Sequence, residues 1–253
     1  MRFTAKKQLG QHFLVDENIL GVIGRLADLQ PRDVVLEVGP GLGVLTRYLS
    51  ARVAHVHAVE LDRSLEPELR ELEHTTLHWQ DALALDPAAL DPPPSKLVAN
   101  LPYNIATPLV VESLDRAPGV RVWCVMVQRE VADRFFALPG TKAYGAVSVL
   151  VQLVTERTGF HAVSREVFRP RPNVESALVA FARTAPGVPP GVKRVVEAAF
   201  SHRRKTLANA VALGSLATRE RVVAALETIA RDATVRAEEL TPHEFVALTA
   251  ALV

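Results

Sequence analysis

Five residues of two kinds, glycine and acid, occur at intervals that suit nucleoside binding. Gly39, Gly41 and Gly43 follow an apolar run, and glycines at such a turn let the backbone approach a ligand closely. Glu60 ends the next apolar run, 21 residues after Gly39, where a carboxylate accepts both hydroxyls of a ribose. Asp81 lies at the end of a third predicted strand, where its carboxylate would accept from an adenine amino group. The pattern predicts a site for an adenosine-containing cofactor.

Two enzyme classes share such a glycine loop: nicotinamide or flavin oxidoreductases, and S-adenosylmethionine methyltransferases. Val44 stands where the Gly-x-Gly-x-x-Gly spacing requires its third glycine. Pro40 removes one backbone N–H that would otherwise face a pyrophosphate. The acid Glu37 suits a sulfonium ion that carries an ammonium group. These features favour S-adenosylmethionine, and the oxidoreductase stays as the alternative.

The sequence Asn100-Leu-Pro-Tyr103 follows a fourth apolar run. The adenine amino group is a poor nucleophile because its lone pair is delocalised into the ring. The Asn100 side-chain oxygen and the Leu101 carbonyl would accept its two N–H bonds and aim the lone pair at a methyl group. Pro102 would stiffen the loop and Tyr103 would offer a ring for stacking. An ordinary strand-to-helix turn remains the alternative for this tetrapeptide alone.

These residues require a scaffold that brings the ends of several strands together. Short β-branched runs alternate with helical stretches, which predicts a mostly parallel sheet covered by helices. The predicted strands are Val34–Val38, Val53–Glu60, Thr75–Gln80, Lys96–Asn100, Arg121–Val127, Val147–Val154 and Ser176–Phe181. A Pro- and Gly-rich stretch begins at Ala185, and Ala- and Leu-rich helical segments follow it. We therefore expect an α/β domain over residues 1–184 and a small all-helical domain over residues 185–253.

Composition restricts the classes of protein. The chain has 253 residues, is 49% apolar and has a net charge of +1, which excludes a disordered chain. Its single cysteine, Cys124, excludes a disulfide framework and a cysteine-based zinc cluster, and the histidines lack ligand-like companions, so we expect no metal. A signal peptide and a membrane-spanning run are not apparent, which predicts a cytoplasmic protein, and we expect a monomer.

The near-zero net charge conceals an uneven distribution. The segment from Glu60 to Asp91 has a balance of −7, and that from Thr155 to Lys205 has a balance of +6. Two basic clusters, Lys6 with Lys7 and Arg203 to Lys205, favour contacts with nucleic-acid phosphates over plain solvated charge.

The chain resembles the KsgA family, the small-subunit ribosomal RNA adenine-N6,N6 dimethyltransferases. Eight motifs carry the resemblance, in order along the chain: Lys7-Gln-Leu-Gly-Gln-His-Phe-Leu14, Glu37-Val-Gly-Pro-Gly-Leu-Gly43, Val59-Glu-Leu-Asp62, Gln80-Asp-Ala82, Asn100-Leu-Pro-Tyr-Asn-Ile-Ala-Thr-Pro108, Gln128-Arg-Glu-Val131, Phe168-Arg-Pro-Arg-Pro-Asn-Val-Glu-Ser176 and Arg203-Arg-Lys-Thr-Leu207. The resemblance implies a Rossmann-like class I methyltransferase sheet with a helical C-terminal domain. It also implies dimethylation of two adjacent adenines in the 3′-terminal hairpin of 16S rRNA in the 30S subunit, with a role in small-subunit biogenesis.

The resemblance assigns three groups of residues by position. The implied cofactor contacts are His12, Leu14, Gly39, Gly41, Glu60, Asp81 and Asn100. The implied catalytic set is Asn100, Leu101, Pro102, Tyr103 and Phe168, with Phe168 facing Tyr103 across the target base. The implied RNA contacts are Lys6, Lys7, Arg169, Arg171, Arg203, Arg204 and Lys205.

Two alternatives remain beside the leading hypothesis, in addition to the oxidoreductase. One is an RNA-binding assembly factor whose catalytic pocket is incidental. The other is the related branch that methylates an adenine of the large subunit, although the helical tail and the Phe-x-Pro-x-Pro run favour the small-subunit branch.

Overall fold

The computed structural model of the chain describes Lys6 and residues 11–252. Contacts divide the chain into two units, the first formed by residues up to Ala132 together with Glu156–Thr184. The second unit comprises Asp133–Thr155 and the residues from Ala185 onward. The sequence predicts one division, after residue 184. The structure divides the chain there too, but it groups Asp133–Thr155 with the C-terminal residues, because this segment packs its apolar side chains among the C-terminal helices.

The first unit is built on a seven-stranded sheet with the strand order β4-β3-β2-β5-β6-β9-β7. Its strands are β2 (Val34–Val38), β3 (His55–Glu60), β4 (Thr75–Trp79), β5 (Lys96–Asn100), β6 (Val122–Gln128), β7 (Thr155–Val163) and β9 (Ser176–Arg183). The pairs β2–β3, β3–β4, β2–β5 and β5–β6 are parallel, and β9 is antiparallel to β6. The prediction of a mostly parallel α/β sheet is confirmed.

Near-continuous apolar runs explain why the central strands form. Four of the five residues of β2 are buried, and so are the first four of β5, as expected for strands that helices cover on both faces. The parallel strands β2, β3, β4 and β5 end at the same edge, where open α/β sheets bind ligands. Helices fill the connections of this unit: α1 (Asn18–Leu26), α2 (Val44–Ser50), α3 (Glu66–Leu69), α4 (Ala106–Arg116) and the first turn of α5 (Arg129–Phe135).

A small second sheet adds a wall to this edge. Strand β1 (Phe13–Leu14) pairs antiparallel with β8 (Phe168–Arg169), with Leu14 opposite Phe168. Both side chains are buried in one cluster that also contains Ile19 and Ile23 of α1. This pairing fixes residues 11–14 beside the carboxyl ends of the central strands.

The second unit is helical over its described residues. Its helices are α6 (Ala146–Val154), α7 (Val192–Phe200), α8 (Leu207–Leu213), α9 (Arg219–Thr228) and α10 (Pro242–Leu252). No helix among the described residues is long and apolar enough to cross a membrane.

The prediction of a strand over Val147–Val154 is wrong, since these residues form α6. Periodicity does not separate a short apolar run in a strand from one in a buried helix. The helix places Ser148 and Gln152 one turn apart. Ser148 Oγ donates to the Arg134 carbonyl at 2.5 Å, and Gln152 Nε2 donates to the Ala137 carbonyl at 2.9 Å. The edge strand is instead β7, which begins at Thr155.

Candidate active site

A cavity of about 250 Å³ lies at the carboxyl ends of the central strands. Its walls come from the loops that follow β2, β3, β4 and β5 and from residues 11–14. The structure brings together all the predicted cofactor and catalytic residues except Phe168: His12, Leu14, Gly39, Gly41, Glu60, Asp81, Asn100, Leu101, Pro102 and Tyr103.

The glycine loop forms the floor of the cavity. Gly39 and Gly41 have φ values of +73° and +58°, which side chains rarely adopt. A Cβ on Gly41 would lie 2.9 Å from the Phe13 ring, so the loop and the ring touch only because the side chain is absent. The Gly39 N–H donates to the Val59 carbonyl and the Gly41 N–H donates to Glu60 Oε2. The Gly39 and Gly41 N–H groups are therefore already hydrogen-bonded within the protein and are not available to bind a phosphate.

Two acids line the cavity with part of their accepting capacity in use. Glu60 Oε1 accepts from the Asp62 N–H at 2.8 Å and Oε2 accepts from the Gly41 N–H at 3.3 Å. Burial raises the pKa of Glu60, although these backbone amides oppose the shift. Asp81 Oδ1 accepts from the Leu83 N–H at 2.9 Å. Since each carboxylate oxygen has two lone pairs, both acids retain acceptor positions for a ligand.

Glu37 is the most deeply buried acid of the cavity wall, with 1% of its surface exposed. Its Oε2 atom and the Thr46 Oγ1 atom are buried and have no hydrogen-bond partner among the described residues. Burial raises the pKa of Glu37 to about 8; the nearby Thr46 hydroxyl, which lies outside hydrogen-bond geometry, opposes the shift, and the nearby Glu60 adds to it. An unpaired buried acceptor is costly, so this position is suited to a ligand that donates or carries positive charge.

Asn100 is held in one orientation by the N-terminal segment. Its Nδ2 donates to the His12 carbonyl at 3.1 Å, so its Oδ1 remains the acceptor of the side chain. The next N–H, that of Leu101, donates to the Met126 carbonyl at 3.0 Å and fixes the start of the loop against β6. The side chain predicted to accept from an amino group is therefore oriented as an acceptor.

Tyr103 is fixed at its hydroxyl and has an aromatic neighbour. Its Oη lies 2.6 Å from Ser176 Oγ at the start of β9, and burial raises the pKa of the phenol. The His12 ring lies 5.5 Å from the Tyr103 ring, centroid to centroid, with a tilt of 31°. The His12 Nδ1 atom lies 2.8 Å from the Pro170 carbonyl, which anchors the imidazole in turn.

The structure differs from expectation at Phe168. Its side chain has 0% exposure, belongs to the buried cluster with Leu14, and is not among the residues that line the cavity. The reason is the β1–β8 pairing, which sets Phe168 opposite Leu14 and directs both into the core. In this conformation the ring that neighbours Tyr103 is that of His12.

Lys6 has a partner that the sequence did not indicate. Its Nζ forms an ion pair with Asp62 at 2.6 Å, and Gln11 Nε2 donates to the other Asp62 oxygen at 3.0 Å. Burial alone would raise the pKa of Asp62, but hydrogen bonds from Lys6, Ser64 and Gln11 outweigh it and hold the pKa below its usual range. Lys6 was predicted to contact phosphate; here it ties the N-terminal segment to the end of β3, two residues beyond Glu60.

The other predicted RNA contacts of the first unit are exposed and only partly engaged. Arg171 forms an ion pair with Glu166 at 2.6 Å, with half of each side chain or more in solvent. Arg169 donates to the carbonyls of Glu166 and Phe168 and is also exposed. Lys7 lies outside the described residues.

Within the second unit, the cluster Arg203–Lys205 divides into two roles. Arg203 Nη2 donates to the carbonyls of Tyr144 at 3.0 Å and Lys142 at 3.4 Å and lies 3.5 Å from the Glu238 carboxylate. Arg204 and Lys205 are exposed. Arg203 therefore joins residues 142–144 to Glu238 within the unit, whereas the side chains of Arg204 and Lys205 are exposed to solvent.

The residues of the cavity fit a cationic, hydroxyl-bearing ligand. Three carboxylates, those of Glu37, Glu60 and Asp81, line it, and the paired glycine N–H groups argue against a pyrophosphate. Among the residues described, no group of three or more His, Cys, Asp or Glu side chains is arranged to hold a metal ion.

Comparisons with known proteins agree with this geometry. The profile of the family described as "Ribosomal RNA adenine dimethylase" matches residues 2–250. A protein named ribosomal RNA small subunit methyltransferase A from Rubrobacter xylanophilus is 49% identical over 249 residues, covering 96% of this chain and 93% of its own. A protein of the same name from Thermosynechococcus vestitus is 43% identical over 260 residues, covering 98% of this chain and 97% of its own.

Two solved structures share the whole architecture. A dimethyladenosine transferase from Plasmodium falciparum has a TM-score of 0.77 at 24% identity, covering 94% of this chain and 96% of its own, which bears on the fold alone. The 23S rRNA methyltransferase ErmE has a TM-score of 0.64 at 28% identity, covering 95% of this chain and 99% of its own.

Proposed function

This chain belongs to the ribosomal RNA adenine dimethylase family, and we propose that it dimethylates the N6 amino groups of two adjacent adenines in the 3′-terminal hairpin of 16S rRNA within the 30S subunit. It is an S-adenosylmethionine-dependent ribosomal RNA adenine dimethyltransferase. The observation that carries the proposal is Asn100, whose amide nitrogen donates to His12 and whose oxygen is thereby kept as an acceptor at the cavity.

The cavity residues divide the binding of the methyl donor among them. Glu60 would accept the ribose hydroxyls and Asp81 the adenine amino group, while Glu37 would face the positive charge of the methionine portion. When bound, S-adenosylmethionine supplies a methyl group on a positively charged sulfur. Gly39 and Gly41 keep the loop close to Pro102 and Phe13 in the cavity wall, because a Cβ at either position would press on one of these two side chains.

The loop after β5 (Lys96–Asn100) would prepare the target nitrogen. Asn100 Oδ1 and the Leu101 carbonyl accept the two amino N–H groups, which turns the nitrogen lone pair toward the methyl carbon and stabilises the positive charge that develops on nitrogen. The nitrogen–carbon bond would form as the sulfur–carbon bond breaks, with S-adenosylhomocysteine as the leaving group. Alkylation would make the amino proton acidic, so it would leave to solvent without a strong protein base. Tyr103, held by Ser176, offers its ring to the base.

The greater similarity to the named small-subunit enzymes supports 16S rather than 23S rRNA as the substrate. The identity is 49% to the Rubrobacter enzyme and 28% to ErmE. We further propose that no metal takes part, that the target lies in the cytoplasm and that modification accompanies assembly of the small subunit.

The test is methyl transfer by purified protein to 30S particles that lack the modification, with labelled S-adenosylmethionine and mapping of the modified nucleotides. Wild type is expected to label two adjacent adenines near the 3′ end of 16S rRNA. Asn100→Ala is expected to lower kcat by about a hundredfold to a thousandfold, the effect of removing one transition-state acceptor or donor. Unchanged thermal stability would show that the fold is intact.

Asn18→Ala is the matched control, since Asn18 is exposed at the start of α1 and its amide donates to Asp16. Its activity should equal that of wild type. Full activity of Asn100→Ala would refute the assigned role, and labelling of 23S rRNA in 50S particles would assign the other branch. Normal particle maturation with Asn100→Ala, lost only in Arg204→Ala, would favour the assembly-factor role.

A further inference from the structure

An exposed leucine stands at the tip of a loop in the second unit. Leu138 is 69% exposed, the largest exposure among the large apolar residues of the described chain. A single exposed leucine is ordinary on a protein surface, so exposure alone carries no functional meaning. The structure around it is what distinguishes this residue.

Residues 137–144, here named the Leu138 loop, are fixed by hydrogen bonds at both ends and in the middle. Gln152 holds the Ala137 carbonyl at 2.9 Å, and the Gly140 N–H donates to the Glu238 carbonyl at 2.7 Å. The Tyr144 hydroxyl donates to the Leu240 carbonyl at 2.8 Å, and its ring is fully buried beside Phe200.

The tip itself is closed by an internal hydrogen bond. Thr141 Oγ1 donates to the Leu138 carbonyl at 2.7 Å. The backbone of the loop therefore holds Leu138 in a fixed, solvent-exposed position. Binding of a partner would cost little conformational entropy because the loop is already ordered.

Basic residues lie on this loop and on the segment that is hydrogen-bonded to it within the same unit. Lys142 is an exposed residue of the loop, and Arg203 donates to the Lys142 and Tyr144 carbonyls, which brings the segment with Arg204 and Lys205 next to it. Glu238 is the acid that faces Arg203 here. A rigid apolar tip beside exposed cations matches a polyanion with apolar faces between its charges, which is the chemistry of unpaired RNA.

We propose that the Leu138 loop is a contact surface for the RNA substrate. Leu138 packs against the face of an unpaired base, while Lys142, Arg204 and Lys205 contact phosphates. This inference rests on the proposed function, since it takes ribosomal RNA as the partner, and it assigns a role to a residue that lies outside the cavity and outside the predicted basic clusters.

The experiment measures the Kd of full-length protein for a protein-free transcript of the 3′ domain of 16S rRNA, at fixed salt, together with methyl transfer. Leu138→Ser is expected to raise the Kd for RNA about tenfold to a hundredfold, the factor that corresponds to burying one leucine side chain. Leu138→Trp should bind at least as well as wild type because an indole stacks on bases. Lys142→Ala should lower the slope of log K against log salt by about 1.

Leu213→Ser is the matched control, because Leu213 is 59% exposed at the end of α8 in the same unit. It should leave RNA binding unchanged, and all variants should keep the wild-type affinity for S-adenosylmethionine. Wild-type RNA binding by Leu138→Ser, or equal losses in Leu138→Ser and Leu213→Ser, would overturn the proposal. A loss confined to intact 30S particles and absent with the transcript would assign a ribosomal protein as the partner and would also overturn it.

Failure of the proposed function gives a different result. If wild type binds the transcript but transfers no methyl group to it or to particles, the enzymatic assignment fails, and the RNA Kd of Leu138→Ser still decides the role of the loop. If wild type does not bind the transcript, the loop proposal fails as well.

Discussion

We predict that Glu37 releases a proton when the methyl donor binds. Burial raises its pKa to about 8, and its Oε2 atom has no hydrogen-bond partner among the described residues. About nine-tenths of these carboxyls are therefore protonated at pH 7 in the free protein. A ligand that brings positive charge next to Glu37 favours the carboxylate, so binding at pH 7 should release about 0.9 proton.

The same coupling sets the pH dependence of affinity. Ionising an acid of pKa about 8 at pH 7 costs about 1.4 kcal/mol, so the affinity at pH 7 should be about tenfold weaker than with Glu37 already ionised. Between pH 6 and pH 7 the Kd should fall about tenfold. The comparison stays below about pH 7.3, because the α-amino group of the ligand begins to lose its own proton above that.

Isothermal titration calorimetry in buffers of different ionisation enthalpy measures the released protons directly. Glu37→Gln should abolish the release and flatten the pH dependence while weakening binding. S-adenosylhomocysteine keeps the ammonium group but not the sulfonium charge, so its proton release reports which of the two Glu37 senses. Equal release by wild type and Glu37→Gln, or a Kd that is constant from pH 6 to 7, would refute the reasoning.

Stability of the ligand-free protein gives an independent check with a definite sign. The folded pKa of Glu37 lies above the unfolded value of 4.5, so the folded state binds the proton more tightly and stability falls as pH rises from about 4.5 to about 8. The loss reaches about 3 kcal/mol by pH 7. Glu37→Gln avoids it and should raise the melting temperature at pH 7, although it impairs binding. An unchanged or lower melting temperature would contradict the buried, neutral acid.

Three further predictions concern the supports of the site. Gly41→Ala should raise the Kd for S-adenosylmethionine more than tenfold, since its Cβ would lie 2.9 Å from the Phe13 ring at a φ of +58°; a calorimetric Kd like that of wild type would contradict this. Asp62→Asn should lower the stability of the protein above about pH 4, because it removes the ion pair with Lys6. In the wild type this contribution is lost as the pH falls through the lowered pKa of Asp62, so the two proteins should become equally stable in acid. Thermal melts of both proteins over this pH range would measure the difference. Arg203→Ala should cost about 1–2 kcal/mol of stability by denaturant titration and leave the Kd for S-adenosylmethionine unchanged; unaltered stability would show that its carbonyl contacts are idle.

The cavity was predictable from sequence because its chemistry sits at strand ends. Gly39, Glu60, Asp81 and Asn100 each lie at the end of a predicted strand or within two residues of it, and parallel strands bring such positions to one edge. The positions of these four residues follow from the strands themselves and do not depend on contacts with residues far away in the sequence. Wherever a side chain's position depends only on the strand that it follows, the structure places that side chain at the cavity, as the sequence predicts.

Positions that depend on distant contacts were not predictable in the same way. Lys6 finds Asp62 across 56 residues, and Phe168 is buried by pairing with β1, about 150 residues away along the chain. The apolar run Val147–Val154 suits a strand or a buried helix equally; as a helix it packs against α7 and α10, and its Ser148 and Gln152 donate to carbonyls of residues 134–137. The local pattern of residue types does not indicate which distant residues will become contact partners.

The hydrogen-bonding groups that the cavity leaves unpaired determine which ligands it suits. The glycine N–H groups of its floor are already bound, those of Gly39 to Val59 and of Gly41 to Glu60, and Pro40 has none to give. What faces the ligand is a set of acceptors from the acids of the wall and from Asn100 Oδ1. Such a surface recognises groups that donate hydrogen bonds or carry positive charge. The ribose hydroxyls and ammonium of the methyl donor and the amino group of the target adenine all donate, whereas a phosphate only accepts. The proposed roles of Glu60, Asp81 and Asn100 therefore rest on one property of the cavity, and we predict that it binds a dinucleotide more weakly than S-adenosylmethionine.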